Sequence, residues 1–298
     1  MKLSFSISPA WRVLNLSESE ILSRHRACGF RYLCDELTSP IPEGSASRLA
    51  KENLKIMNDA GITPVKVRAE NNANLESLYR AMEYAASLNV RKLVVPLIAD
   101  ERWTRAEYTK ANADYLRTLS VAARQNGITL LIEHAGDYQL PHYSQSSMEL
   151  NRLLEIVSDA DNIAVNLNIA NVGLTDLDMY PEIRLLGKRI LSADASDHFF
   201  AMALGHEKER ENLGLAPLMG FLDYDEIMRG LKETDSAEEL NLRLNYPRVF
   251  DKKSPFVDDP KLDRFPLPLL ERFTIWTRHV CEYMMDSYGI PAEKEDFQ

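Results

Sequence analysis

Four stretches of the 298-residue chain end in polar side chains at alternate positions. Residues 128–134 (ITLLIEH) carry Glu133, and 163–169 (IAVNLNI) carry Asn166 and Asn168. Residues 190–196 (ILSADAS) carry Ser192 and Asp194, and 240–246 (LNLRLNY) carry Asn241, Arg243 and Asn245. Successive strand side chains point to opposite faces, so each polar set shares one face while the intervening apolar residues share the other. A glutamate can carry a proton or bind a cation, an asparagine both donates and accepts, and an arginine is a fixed charge that only donates. Taken singly, each is a satisfied polar group at a strand end. Their recurrence on successive strands marks a candidate ligand site, because buried polar groups need partners and strand ends converge on a shared opening.

The elements that must position them alternate along the whole chain. Further strand runs are expected at 2–8, 30–37, 63–69 and 91–98, making eight, with amphipathic helical stretches between them. Several of these helices end in Gly, as at Asp59-Ala60-Gly61 and Gln125-Asn126-Gly127. Eight such units predict an α/β fold, a (β/α)8 TIM barrel of a single domain, with a C-terminal extension after the eighth strand over about 247–298. In that architecture the polar strand ends open onto the C-terminal mouth. No strand is followed by GxGxxG or GxxxxGK[ST], so a dinucleotide or nucleoside-triphosphate site has no support.

Composition removes other classes. A formal charge of -10 argues against nucleic acid as a partner, since that binding depends on clustered Lys and Arg. No apolar run is long enough for a membrane span and the start has no sustained apolar secretory core, so a cytoplasmic protein is expected. Cys28, Cys34 and Cys281 lack metal-site spacing and read as reduced, buried thiols.

The strand ends and their order resemble the xylose isomerase-like TIM-barrel family, the AP endonuclease family 2 superfamily, which includes sugar phosphate isomerases and epimerases, inosose dehydratases and the endonuclease IV group. ITLLIEHAG is similar to the family's fifth strand, which implies a metal-binding and proton-carrying role for Glu133. NIAVNLNIANV stands where the family reads Asp-x-x-His, with Asn168 and Asn171 at those positions. KRILSADASD stands for His-x-Lys-Asp and supplies Asp194, Ala195, Ser196 and Asp197. Where the eighth strand of the family has a second catalytic, metal-binding Glu, this chain has Arg243.

The family's ligand set carries about three negative charges, whereas Glu133, Asn168, Asp194 and Arg243 carry about one. At roughly 4 Å and an effective dielectric near 20, one misplaced unit charge is worth on the order of 4 kcal/mol, and a divalent ion feels about twice that. No metal site and no cofactor are therefore expected, with Mn or Mg left as the open alternative. The guanidinium of Arg243 is expected in the electrostatic place of the metal, hydrogen-bonded to Glu133 and Asp194. The bland alternative is an Arg243 that merely seals a barrel whose chemistry is lost.

Other candidates lie around the mouth. His198, in the loop after the seventh strand, is the remaining acid or base candidate, with Asp197 beside it. Arg68 on the third strand meets a ligand or a neighbouring carboxylate, Glu36 and Glu70 end their strands there, and Trp11 is placed to stack on a sugar. His134, next to Glu133, should face the helix layer. Residues 200–220 read as a lid or interface, and the proline-rich stretch from 245 to 268 as a wrap over the mouth. The expected ligand is a small carbohydrate or polyol. Two functions stay open: a sugar or polyol isomerase or epimerase with Glu133 and Arg243 in the catalytic roles, or a carbohydrate-binding or regulatory barrel without turnover. The resemblance also implies a homo-oligomer.

Overall fold

In the computed structural model, residues 1–12, 14, 16–70, 73–134, 146–173, 178–197, 215–244 and 267–293 are described. Eight parallel strands close into a barrel in sequence order: β1 (Lys2–Phe5), β2 (Tyr32–Glu36), β3 (Thr63–Arg68), β4 (Lys92–Val94), β5 (Thr129–Glu133), β6 (Ile163–Asn168), β7 (Ile190–Ala195) and β8 (Glu239–Leu242). Closure comes from β8 pairing with β1, Ser4 opposite Asn241. This is the single-domain TIM barrel that the alternation of strands and helices predicts.

The strands are shorter than the apolar runs that announce them, and β4 shows why. Pro96 has no N–H to extend the ladder. Beyond it the Asn112 side chain takes over as partner, accepting from Ile98 N and donating to Ile98 O, both at 2.9 Å.

The helices are α1 (Pro9–Arg12), α2 (Glu18–Ala27), α3 (Ala46–Asp59), α4 (Leu75–Ser87), α5 (Arg105–Gln125), α6 (Ser147–Ile156), α7 (Ile169–Gly173), α8 (Met179–Leu186), α9 (Tyr224–Glu233) and α10 (Leu267–Ser287). Reciprocal Ser17–Glu20 and Thr104–Glu107 bonds fix the starts of α2 and α5, satisfying amides with no partner in the first turn. Gly61 and Gly127 follow the ends of α3 and α5 with φ of 69° and 66°, the left-handed turn that lets each chain re-enter the barrel. The short helices α1 and α7 break up segments with no helical periodicity, and α7 begins directly where β6 ends. The eighth strand's helix, α10, packs against α9 and α2 and so completes the helical ring.

Most of the core lies between barrel and helices. A separate small cluster of Val94, Leu131 and Ala164 shares the inward parity of Glu133 and Asn166. Among the described residues most other inward-facing side chains are polar, with Cys34 beside Lys66 an exception. Among the described residues no helix is long and apolar enough to cross a membrane.

Candidate functional site

Alternation on β3 turns Lys66 and Arg68 to the same inward face, with Val67 between them in the outer core. Lys66 is wholly buried. Its Nζ donates to Ser192 Oγ at 2.6 Å, Asp194 Oδ1 at 2.9 Å and Asn166 Oδ1 at 3.0 Å, with Glu239 Oε1 at 3.5 Å. Beneath it, Ser4 Oγ lies 2.5 Å from Glu239 Oε1, and Lys92 Nζ lies 3.4 Å from Glu239 Oε2. Every side chain in this layer thus has a charged or polar partner, as burial demands.

One step closer to the mouth, Arg68 donates from Nη1 to Glu133 Oε1 at 2.6 Å and from Nη2 to Asp194 Oδ2. Its Nε lies 3.5 Å from Glu36 Oε1, which accepts from Arg243 Nε at 2.9 Å. Asn166 Nδ2 bridges the same two carboxylates, 3.0 Å from both Glu133 Oε2 and Asp194 Oδ2, and Asn241 Nδ2 adds a 3.0 Å bond to Asp194 Oδ1. Charges therefore alternate up the barrel: Lys92, Glu239, Lys66, Asp194, Arg68, then Glu133 and Glu36, then Arg243. Four cations face four carboxylates, so this column is neutral without any bound ion.

The titration directions agree with that geometry. Burial opposes ionisation of Asp194, yet Lys66 and Arg68 outweigh it and hold the carboxyl well below its ordinary range. Glu36 is likewise buried against its charge but kept low by Arg243 and then Arg68. Despite desolvation, Lys66 is driven above its usual value by Asp194 and Glu239. Asp194, Glu36 and Lys66 are thus each held in the charged form by their partners.

The expectation for Arg243 is corrected here. The guanidinium between Glu133 and Asp194 belongs to Arg68, and Arg243 binds Glu36 instead. The reason is reach: Arg68 projects from β3 across the bore, whereas Arg243 follows the last residue of β8 and sits a layer higher. Arg68 and Asp194 are buried, and at the mouth end of the column Glu133, Glu36 and Arg243 keep some exposure, with side chains 18%, 22% and 20% exposed.

Other expected residues are drawn into the framework. Asn168 Oδ1 accepts from Asn171 N at 3.2 Å, capping α7, and Asn171 Nδ2 donates to His134 O at 2.7 Å, tying α7 to the end of β5. Asp197 is buried and accepts from Gly220 N and Leu222 N, anchoring the segment that leads into α9. Trp11 is 2% exposed and packs on His25 with ring centroids 4.5 Å apart, so its face meets the core and not the mouth. His134 faces the helices as alternation requires: its Nε2 is 2.9 Å from Ser147 Oγ, and burial pulls its pKa down to about 3. His198 and Asn245 lie outside the described residues, as do 198–214 and 245–266, which hold most of the expected lid and wrap.

Sequence reading passed over Lys66 and Glu239 and gave Glu36 only a place at the mouth. The signal was present. Lys66 lies two residues before Arg68 and Glu239 two before Asn241, so the same alternation that selects Arg68 and Asn241 places them inward.

A divalent ion does not fit this donor set. Both oxygens of Glu133 and both of Asp194 already accept from Arg68, Asn166, Lys66 or Asn241, and Asn168 and Asn171 are taken up by α7. Among the described residues no group of three His, Cys, Asp or Glu side chains could hold a metal.

A family model described as "Xylose isomerase-like TIM barrel" matches residues 29–253. No curated protein matches the chain by sequence. Among solved structures, a D-tagatose 3-epimerase-like protein aligns at 16% identity and TM-score 0.69, over 97% of this chain and 98% of that one. An IolI protein with a bound zinc atom aligns at 18% and 0.71, over 97% and 99%. A D-psicose 3-epimerase determined in the presence of D-fructose aligns at 15% and 0.71, over 96% and 99%. At these identities the likeness carries the fold alone.

Proposed function

The chain belongs to the xylose isomerase-like TIM-barrel family, and from that membership we propose a metal-independent barrel that binds a small sugar or polyol at its C-terminal mouth. One observation carries the proposal: the cation bridging Glu133 and Asp194 is the guanidinium of Arg68. With Arg68 in that place, the partly exposed Glu133, Glu36 and Arg243 are the groups that offer acceptors and a donor to hydroxyls. The neighbours named for sugar epimerases support a carbohydrate ligand of this kind. Binding in this reading involves no metal, no membrane and no nucleic acid, takes place in the cytoplasm and is compatible with a homo-oligomer.

A second reading, turnover as an isomerase or epimerase, is favoured by Glu133 and Glu36 lying on either side of one guanidinium. In that reading Glu133 takes a proton from the carbon beside a carbonyl while Arg68 holds the developing enediolate charge. Weighing against it, both Glu133 oxygens already accept hydrogen bonds, from Arg68 and from Asn166, and one of these must break before the carboxylate takes a proton.

The test is a thermal unfolding series on chelator-treated protein with D-tagatose, D-fructose, D-psicose or myo-inositol, each with and without manganese. A ligand at a hundred times its dissociation constant stabilises by about 2.7 kcal/mol. The expected result is a rise in Tm with at least one sugar or polyol that manganese does not change. A rise with manganese alone overturns metal independence, and no response to any of the four overturns the ligand class. Incorporation of solvent deuterium into the responding sugar decides between binding and turnover.

A further inference from the structure

Arg243 is the last charge of the column, and its guanidinium is only partly engaged. The main chain is held at the end of β7, where Arg243 N donates to Ala195 O at 3.3 Å, and Nε is held by Glu36 Oε1 at 2.9 Å. Among the described residues Nη1 and Nη2 have no hydrogen-bond partner, and the side chain is 20% exposed. Arg68 below it gives the contrast, because both of its terminal nitrogens are taken, by Glu133 and Asp194. The acceptors near Arg243 are occupied as well. Glu133 accepts from Arg68 and Asn166, and Glu36 accepts from Arg243 and from the Ser6 side chain. What the mouth offers a ligand is therefore above all a pair of donors on one cation. The alternation of charge up the bore ends on that cation, so the next group in the series is an anion.

We infer that the ligand of this mouth carries a carboxylate, gripped by Nη1 and Nη2 of Arg243. The inference rests on the reading of the mouth as a sugar or polyol site and narrows that ligand to a sugar acid, an aldonate or a uronate. With Nε held by Glu36, the free edge of the guanidinium is its Nη1–Nη2 end, whose paired N–H groups match the two oxygens of a carboxylate. A neutral hydroxyl brings one oxygen and no charge to the same edge. A phosphate monoester is close to a dianion and asks for a second cation. The other cations of the column, Lys66, Arg68 and Lys92, lie deeper and are already engaged by carboxylates. Because Arg243 is held at its main chain and at Nε before any ligand arrives, little side-chain freedom remains to be lost on binding. Hydroxyls of the same molecule then donate to the remaining lone pairs of Glu133 and Glu36.

Isothermal titration calorimetry with matched ligands at fixed ionic strength tests the assignment: D-gluconate against D-glucitol, D-glucuronate against D-glucose, and D-glucose 6-phosphate against D-glucose. At least one acid should bind about tenfold more tightly than its neutral partner, the gain expected of charge-assisted hydrogen bonds, and the phosphate ester should show no such advantage. Arg243→Gln should bring the acid and its neutral partner to equal affinity, and Arg243→Lys, which keeps the charge and loses the fork, should leave an intermediate ratio. Each comparison is a ratio within one protein, and the wild-type ratio alone decides if a variant fails to fold. A neutral partner that binds as well as its acid overturns the carboxylate and leaves the sugar reading standing. An advantage for the phosphate ester alone, or an acid preference that survives Arg243→Gln, overturns the assignment to Arg243. No binding by either member of any pair overturns this inference together with the sugar reading beneath it.

Discussion

Lys66 and Asp194 form a fully buried ion pair, Nζ to Oδ1 2.9 Å, between strands on different sides of the barrel, β3 and β7. The pair therefore spans the bore and ties two strands that share no ladder. Its strength depends on the company it keeps: Ser192, Asn166, Asn241 and Arg68 satisfy the remaining donors and acceptors.

Removing one member of such a network leaves the other charge buried without full compensation. Lys66→Met should cost roughly 3–5 kcal/mol, the range for breaking a buried pair from one side. The exposed Lys55–Asp59 pair, with side chains 77% and 61% exposed, provides the contrast. Lys55→Ala should leave the stability unchanged within the error of the measurement. Urea unfolding of the three proteins checks both values, and a Lys66→Met variant no less stable than Lys55→Ala would show that the column is not a stabilising feature.

The place of Arg68 sets what it takes to return a metal to the site. Changing Arg243→Glu restores the family's residue on β8 but leaves the Arg68 guanidinium between Glu133 and Asp194. Manganese should therefore not raise the Tm of Arg243→Glu. The Arg68→Ala/Arg243→Glu double variant frees oxygens on Glu133 and Asp194 beside a third carboxylate, a donor set suited to a hard divalent ion. Its Tm, referred to its own metal-free value, should rise with manganese. A rise in the single variant would mean that Arg243, and not Arg68, blocks the ion.

The barrel was legible because its signal is repeated eight times, so that small errors in strand ends left the count and order intact. Which residues share the inward face followed from alternation alone, as Glu133, Asn166, Asp194 and Asn241 show. What alternation does not contain is reach across the bore. Glu133 and Asp194 are met by an arginine from β3, although β8 pairs directly with β7 and supplies the arginine expected there. Asn168 and Asn171 show the same limit: their spacing resembles a ligand pair, and their hydrogen bonds serve a short helix that the sequence does not announce.

Asp35 gives the protein a pH dependence that can be isolated. It ends up in the outer layer of β2, where Tyr84 Oη donates to Oδ2 at 2.6 Å and itself accepts from Asn53 Nδ2 at 2.7 Å. Burial, opposed by the Tyr84 hydrogen bond, pushes the carboxyl up to about 6. The unfolded chain titrates this group near about 3.9. A folded value above the unfolded one means that the folded state holds the proton more tightly, so the contribution is fully present below pH ~4 and is lost as pH rises through about 6. His25 and His134 are shifted down by burial, to about 4 and about 3, and act in the opposite sense, losing stability as pH falls, so the wild-type profile alone mixes the two. Asp35→Asn keeps an acceptor for Tyr84 and removes the titration. Its stability relative to wild type should be nearly level at pH 4 and should climb by about 2–3 kcal/mol by pH 7, two pKa units at 1.36 kcal/mol each. Unfolding free energies of both proteins at matched pH values provide the measurement, and a difference that stays flat from pH 4 to 7 would place the titration of Asp35 at its ordinary value.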